Sequence, residues 1–245
     1  MKQQLLIKTL IISLYFCCGI NLFAQQSTPI DSLYPDTTLK ITYHNAWTSK
    51  EYPRRIKQFK EQPLKPGEIV FLGNSITQMG RDWSEKFNTT GIRNRGIAGD
   101  VTDGILARLD EIIYFKPKAV FILIGINDLF NLHKNEGIPS ATYVGKNIVK
   151  IARTIKRESP NTAVYVQTVL PTKYNYLQAH ITEVNQLLKA NKQYYNLIDL
   201  HQQFVNDADF IKDELTNDGT HLTPEGYSVW VETLSPIIQN LKAND

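Results

Sequence analysis

The chain predicts a three-layer α/β/α sandwich around a five-stranded parallel sheet, and three observations carry that expectation. Five short segments, "EIVFLG", "GIRNRG", "AVFILIG", "AVYVQTVL" and "YNLIDL", recur from Glu68 onward and are separated by longer amphipathic stretches. Strand, helix, strand repeated in this way closes into a parallel sheet with right-handed crossovers. The third segment is apolar at every position from Ala119 to Ile124, as required where helices cover both faces of a strand. At 245 residues and 42% hydrophobic content the chain has enough material for a sizeable core and is neither disordered nor fibrous.

The N-terminus reads differently. Lys2 and Lys8 precede an apolar run from Thr9 to Ile20, and Ala24 stands before two glutamines. This is the pattern of a cleaved secretory signal over residues 1–24, with a run shorter than the ~20 residues that span a bilayer. Both cysteines, Cys17 and Cys18, lie inside it, so the mature chain has no thiol chemistry and no disulfide. Cleavage also removes Lys2 and Lys8, lowering the formal charge from +3 to +1. No run of like charge remains to favour nucleic acid or an anionic membrane, and no stable membrane insertion is expected after cleavage. The location expected is periplasmic or extracellular.

Residues 25–65 hold Pro29, Pro35, Pro53 and Pro63 and predict an extended arm packed on the main domain, with a short helical stretch around Pro53–Phe59. The domain then occupies residues 66–245. Its strands begin near Glu68, Ile92, Ala119, Ala163 and Asn196. Its helices are expected over Ser75–Phe87, Thr102–Tyr114, Ala141–Arg157, Leu177–Tyr194 and Pro224–Leu241, the last with Thr223 as N-cap and Pro224 at the first helical position.

Open α/β sheets bind ligands beyond the carboxyl ends of their strands. The loops there read "GNSIT", "RGIAGD", "GINDLF", "PTKYNY" and "NDGTHLTPEG". Each has a bland use: Ser75 as a helix cap, Gly96 and Gly99 as turn formers, Asn127 in an Asx-turn, Asp218 and His221 as surface loop residues. Together they form the set that serine ester hydrolysis needs. A hydroxyl requires a base within hydrogen-bond reach, a carboxylate to orient that base, and donors for the developing oxyanion. Asp218 stands three residues before His221, close enough to pair with it across one turn. The elbow G-x-S-x-G is absent, because Thr77 occupies its last position. No H-E-x-x-H occurs either, so no metal site is expected.

On these residues the chain resembles the SGNH/GDSL hydrolases, and within them the platelet-activating-factor acetylhydrolase-like branch. "FLGNSIT", "NRGIAGD", "IGIND" and "NDGTHLTPEGY" match the family's four blocks in order, from Glu68 to the C-terminal helix. The resemblance implies a flavodoxin-like strand order, Ser75 as nucleophile, His221 as general base and Asp218 as its partner. It implies an oxyanion hole from the Ser75 and Gly99 amides and the Asn127 side chain, with no cofactor. One departure stands out: Asn74 replaces the aspartate of Gly-Asp-Ser-Leu. Substrate contacts are expected from Asn74, Asp100, Phe130, Tyr174 and Tyr176, with Trp83 open between a pocket wall and the core.

The implied activity is a secreted serine esterase, with carbohydrate O-acetyl esters the first expectation and lysophospholipid or short-acyl lipid esters the alternative. Two non-enzyme readings stay open: "GNSITQ" as a phosphate-holding loop of a flavodoxin-like module, and a catalytically silent carbohydrate-binding relative.

Overall fold

The computed structural model describes residues 30–243, and the expected export signal lies outside them. The arm is not extended. A 3-10 turn at Ile30–Leu33 leads to helix α1 (Thr48–Glu61), which continues through Pro53. Tyr52, Ile56 and Phe59 share one face at i, i+4 and i+7, buried with Leu33, Tyr34 and Ile97 in a small core of their own. Three such side chains at roughly 1.5–3 kcal/mol each outweigh the penalty of about 3 kcal/mol for a proline inside a helix. Tertiary burial therefore extends a helix that local signals confine to Pro53–Phe59.

After α1 come β1 (Ile69–Gly73), α2 (Ser75–Met79), α3 (Trp83–Lys86), β2 (Ile92–Gly96), α4 (Thr102–Leu106), α5 (Asp110–Phe115) and β3 (Ala119–Leu123). The remainder is α6 (Ile126–His133), α7 (Ala141–Glu158), β4 (Ala163–Gln167), α8 (Asn175–Ala190), β5 (Asn196–Ile198), α9 (His201–Phe204) and α10 (Pro224–Ala243). The strands lie in the order β2-β1-β3-β4-β5, and every pair is parallel. This is the flavodoxin-like order, in which the chain reverses its direction of winding at β1.

The register explains the core. Phe71, Phe121 and Tyr165 are direct neighbours across β1, β3 and β4, and their rings stack at 5.1 and 4.6 Å. Trp83 of α3 lies over Phe71 at 4.4 Å, and Trp230 of α10 meets Trp83 edge-on at 4.8 Å. Both tryptophans are fully buried, so Trp83 belongs to this layer and not to the substrate edge. Residues of the other parity, among them Val70, Leu72, Val120 and Ile122, are buried on the opposite face. There α7 packs against β4, α4, α5 and α8.

Two expected helices are broken. Ser75–Phe87 divides at Gly80, where Arg81 takes a left-handed conformation (φ 56°) and the Asp82 carboxylate caps α3 through Ser84 N and Glu85 N. Thr102–Tyr114 divides between α4 and α5. Two helices were not foreseen: "INDLFNLH" forms α6, beginning after Gly125 at φ 122°, and "HQQF" forms the short α9. Thr223 does cap α10, its hydroxyl accepting from Gly226 N. Among the described residues no helix is long and apolar enough to cross a membrane.

Candidate active site

Strand β1 delivers Ser75 at its carboxyl end. The bland use of Ser75 as a helix cap is ruled out, because the cap is Asn74, whose side-chain oxygen accepts from Ile76 N at 3.0 Å. Ser75 is therefore the first residue of α2, with its hydroxyl free for other use. Asn74 is enclosed with its side-chain oxygen engaged in the cap, and it also lines a small apolar cavity. An amide oxygen does here what a carboxylate oxygen does at an N-cap, since both accept from the first turn. The cap also takes the Ile76 amide that a phosphate-holding loop would offer.

The approach of α2 depends on glycine. A Cβ on Gly96 would lie 2.3 Å from Gln78 N and 2.8 Å from Asn74 O. No other residue lets β2 and the nucleophile turn come this close.

His221 reaches Ser75 from the far end of the chain. Its Nε2 lies 2.9 Å from Ser75 Oγ, and its Nδ1 lies 2.7 Å from Asp218 Oδ2. The second carboxylate oxygen of Asp218 accepts from Thr220 N and His221 N at 2.9 and 2.8 Å, which is the single turn that the three-residue spacing requires. Gly219 (φ 91°) permits this turn, Thr216 Oγ1 accepts its amide, and the Tyr174 hydroxyl donates to Asp218 O. Partial burial opposes ionisation of Asp218, but the His221 ring and the two backbone amides outweigh it and hold its carboxyl below the usual range. The Ser75 side chain is nearly enclosed, at 7% exposure, whereas Asp218 keeps half of its side chain in solvent.

Gly99 follows β2 with φ 78°, and a Cβ there would strike the Thr48 side chain. Asn127 opens α6, and its Nδ2 donates to the backbone oxygen of Asp100 at 2.9 Å. That bond uses one amide hydrogen and leaves the other for a ligand. Asp100 itself is not a substrate contact. It is fully buried, with Arg108 on Oδ2 and His44 on Oδ1; an oxygen so enclosed has no route to the cleft. Phe130, Tyr174 and Tyr176 form a continuous strip of rings beside Asp218, with centroids 5.6 and 5.5 Å apart, and Tyr176 is exposed.

This cavity lies among Asn74, Ile76, Ile126, Val169, Thr172, Thr220 and others; Asn74 and Ile76 flank Ser75 in the chain, and Thr220 precedes His221. Among the described residues no cluster of three or more His, Cys, Asp or Glu could hold a metal ion.

A family model for the GDSL-like lipase/acylhydrolase family matches residues 71–229, which contain the serine turn, both oxyanion loops and the Asp-His turn. The chain belongs to the GDSL-like lipase/acylhydrolase family. It is thus a GDSL-type esterase. A rat platelet-activating factor acetylhydrolase IB subunit alpha2 is 32% identical over 190 residues, covering 72% of this chain and 78% of the relative. A GDSL-like lipase from Bacteroides thetaiotaomicron has a TM-score of 0.62 at 25% identity, covering 79% and 98%. An acetylxylan esterase from Geobacillus stearothermophilus shares the fold at a TM-score of 0.59 and 16% identity, covering 71% and 95%.

Residues of this GDSL esterase that its motifs did not announce are His44, Arg108 and Trp47. His44 and Trp47 lie in the arm, where no periodic pattern marks them. Arg108 lies in the turn between α4 and α5, beside Asp103, Asp110 and Glu111, where one more charge carries no signal.

Proposed function

We propose that this esterase hydrolyses short O-acyl esters, acetyl esters of carbohydrates foremost, through a Ser75 acyl-enzyme, and that it works outside the cytoplasm. One observation carries the reading: Ser75 Oγ, His221 and Asp218 stand in one hydrogen-bonded line at 2.9 and 2.7 Å.

In that line the Asp218 carboxylate accepts a hydrogen bond from Nδ1–H and keeps the proton there, which leaves Nε2 free to take the Ser75 proton as Oγ attacks the ester carbon. The carbonyl oxygen becomes an oxyanion held by the Ser75 and Gly99 amides and the free Asn127 amide hydrogen. Collapse breaks the bond to the alcohol oxygen, and His221 returns the proton to it. Water then adds to the acyl-enzyme with His221 again as base, releasing the acid and restoring Ser75.

The small apolar cavity lined by chain neighbours of Ser75 and His221 supports a short acyl group. The strip of Phe130, Tyr174 and Tyr176 supports a sugar on the alcohol side, as flat rings stack on pyranose faces. Trp47, 59% exposed, precedes the Thr48 that abuts Gly99 and is a further exposed ring in the chain beside that loop. The mammalian relative's name favours a second reading, a short-acyl phospholipid ester. Export rests on the Lys2, Lys8 and Ala24 pattern alone.

The test is hydrolysis of a chromogenic acetyl ester by residues 25–245, followed by a panel of acetylated sugars and short- and long-acyl lipids. Ser75→Ala should fold and lose activity. A Ser75→Ala protein as active as the wild type would remove the nucleophile assignment, and preference for a long acyl chain would remove the acetyl reading.

A further inference from the structure

The loop between β2 and α4 carries Gly99, yet little in its own sequence holds it still. Its anchor is Asp100. One carboxylate oxygen accepts from Arg108 Nε and Nη2 at 3.1 and 3.0 Å, and the other accepts from Val101 N and faces His44 Nε2, both at 3.0 Å. The backbone oxygen of the same residue fixes the Asn127 amide. Arg108 also donates to Gly73 O and Arg95 O, so one guanidinium joins the ends of β1 and β2 to the loop. Asp100 thus touches the machinery on three sides: the Gly99 amide through the chain, the Asn127 amide through its carbonyl, and the Ser75 turn through Arg108.

His44 is the one member of this cluster contributed by the arm. Its side chain is 2% exposed, and its ring rests against Tyr52 at 5.0 Å. The Tyr52 hydroxyl donates to Gly104 O, on the helix where a Cβ would collide with Asp100 Oδ1. Tyr43, the residue before His44, is held through its backbone oxygen by Asn131 of α6, the helix that presents Asn127. Thr48 then packs on Gly99 from the same side. Asp100, Tyr52, Thr48 and the His44 side chain are buried, so a hydrogen bond lost between His44 and Asp100 is poorly replaced by water.

We propose that His44 is a positioning residue for the oxyanion site: the arm closes over the sheet edge and, through His44 and Asp100, sets the Gly99 and Asn127 donors for the transition state. The inference rests on the reading of those two groups as oxyanion donors. It makes the arm part of the active site and not merely a cover for the sheet. Donors placed by such a network act on the developing oxyanion more than on the bound ester, so loss of His44 lowers kcat and leaves KM in place.

The experiment compares kcat and KM for His44→Leu, His44→Gln and Tyr34→Phe with the wild type on a chromogenic acetyl ester, together with the rate at which a fluorophosphonate probe labels Ser75. His44→Leu should lose about ten- to a hundredfold in kcat and in labelling rate, with KM within about twofold. His44→Gln, whose amide nitrogen falls near the place of Nε2, should recover most of both. Tyr34→Phe loosens the arm at Phe59 and Glu111 and should lower stability without lowering kcat.

Wild-type kcat in a folded His44→Leu protein overturns the proposal. So does equal impairment of the Leu and Gln variants, or a Tyr34→Phe protein whose kcat falls with its stability. Should His44→Leu fail to fold, His44→Asn replaces it: an amide one methylene short of Asp100 should be slower than His44→Gln, and equality of the two overturns the idea. A wild-type protein without esterase activity, or an active Ser75→Ala protein, would instead overturn the underlying serine mechanism, and both are read with the arm intact.

Discussion

Asp218→Asn separates the chemical role of this residue from its structural one. The carboxylate has two duties in the structure. Oδ1 holds the turn through Thr220 N and His221 N, and Oδ2 faces His221 Nδ1 at 2.7 Å. Asparagine keeps the first with its carbonyl oxygen and reverses the second with its amide. A donor opposite Nδ1 selects the tautomer that carries its proton on Nε2, which can no longer accept from Ser75. In a wholly buried triad that reversal costs about ten-thousandfold in kcat.

Half of the Asp218 side chain is in solvent here, so water competes for Nδ1 and the loss should be smaller. We expect roughly a hundred- to a thousandfold in kcat, or about 2.7–4 kcal/mol at 1.36 kcal/mol per tenfold. Thermal unfolding by circular dichroism should leave the midpoint of Asp218→Asn near wild type, while Asp218→Ala, which loses the turn as well, melts lower. Initial rates on a chromogenic acetyl ester measure the chemical term. An Asp218→Asn enzyme with wild-type kcat and an unchanged fold would refute the assignment of Asp218 as the group that orients His221.

Three further outcomes follow from the packing. Gly96→Ala places a methyl 2.3 Å from Gln78 N; it should destabilise by about 1–3 kcal/mol and lower kcat, since α2 must shift with Ser75, and urea melts with parallel rates test both. Trp83→Ala should cost about 3–5 kcal/mol by opening the stack on Phe71 while KM stays unchanged; a urea midpoint near wild type would show that the ring is not a core element. Burial pushes the Asp128 carboxyl from 3.8 up to about 7, against hydrogen bonds from the Thr102 hydroxyl and amide. Between those values the unfolded chain has released a proton that the folded chain retains, so stability should fall as pH rises through that window, by up to about 4 kcal/mol. Asp128→Asn should flatten that slope in urea titrations, and a wild-type slope no steeper than the variant's would contradict the buried, protonated carboxyl.

The site was legible where chemistry and local spacing coincide. Asp218 and His221 are three residues apart, and one turn suffices to pair them, so their relation could be read from "DGTH". The aromatic strip was legible in part: Phe130, Tyr174 and Tyr176 stand on the expected rim, whereas Trp83 went to the core. An aromatic ring carries no mark of which it will do, because both places reward flat apolar surface. Asp100 was misjudged for a related reason. Its polarity suggested solvent and substrate, but a polar side chain can be fully enclosed once a guanidinium and an imidazole satisfy it.

Strand number and the polar loops at the strand ends follow from the sequence itself, because apolar alternation and turn residues act over a few neighbours, whereas the strand order and the roles of the four blocks came from the family resemblance. The tertiary structure decided the rest. It extended α1 through Pro53 by burying Tyr52, Ile56 and Phe59, ended the first crossover helix at Gly80, and brought His44 to Asp100 across 56 positions of chain. Contacts of that range leave no periodic trace in the sequence. They arise only when the arm and the sheet edge exclude water together, and the free energy that fixes them is that of shared burial.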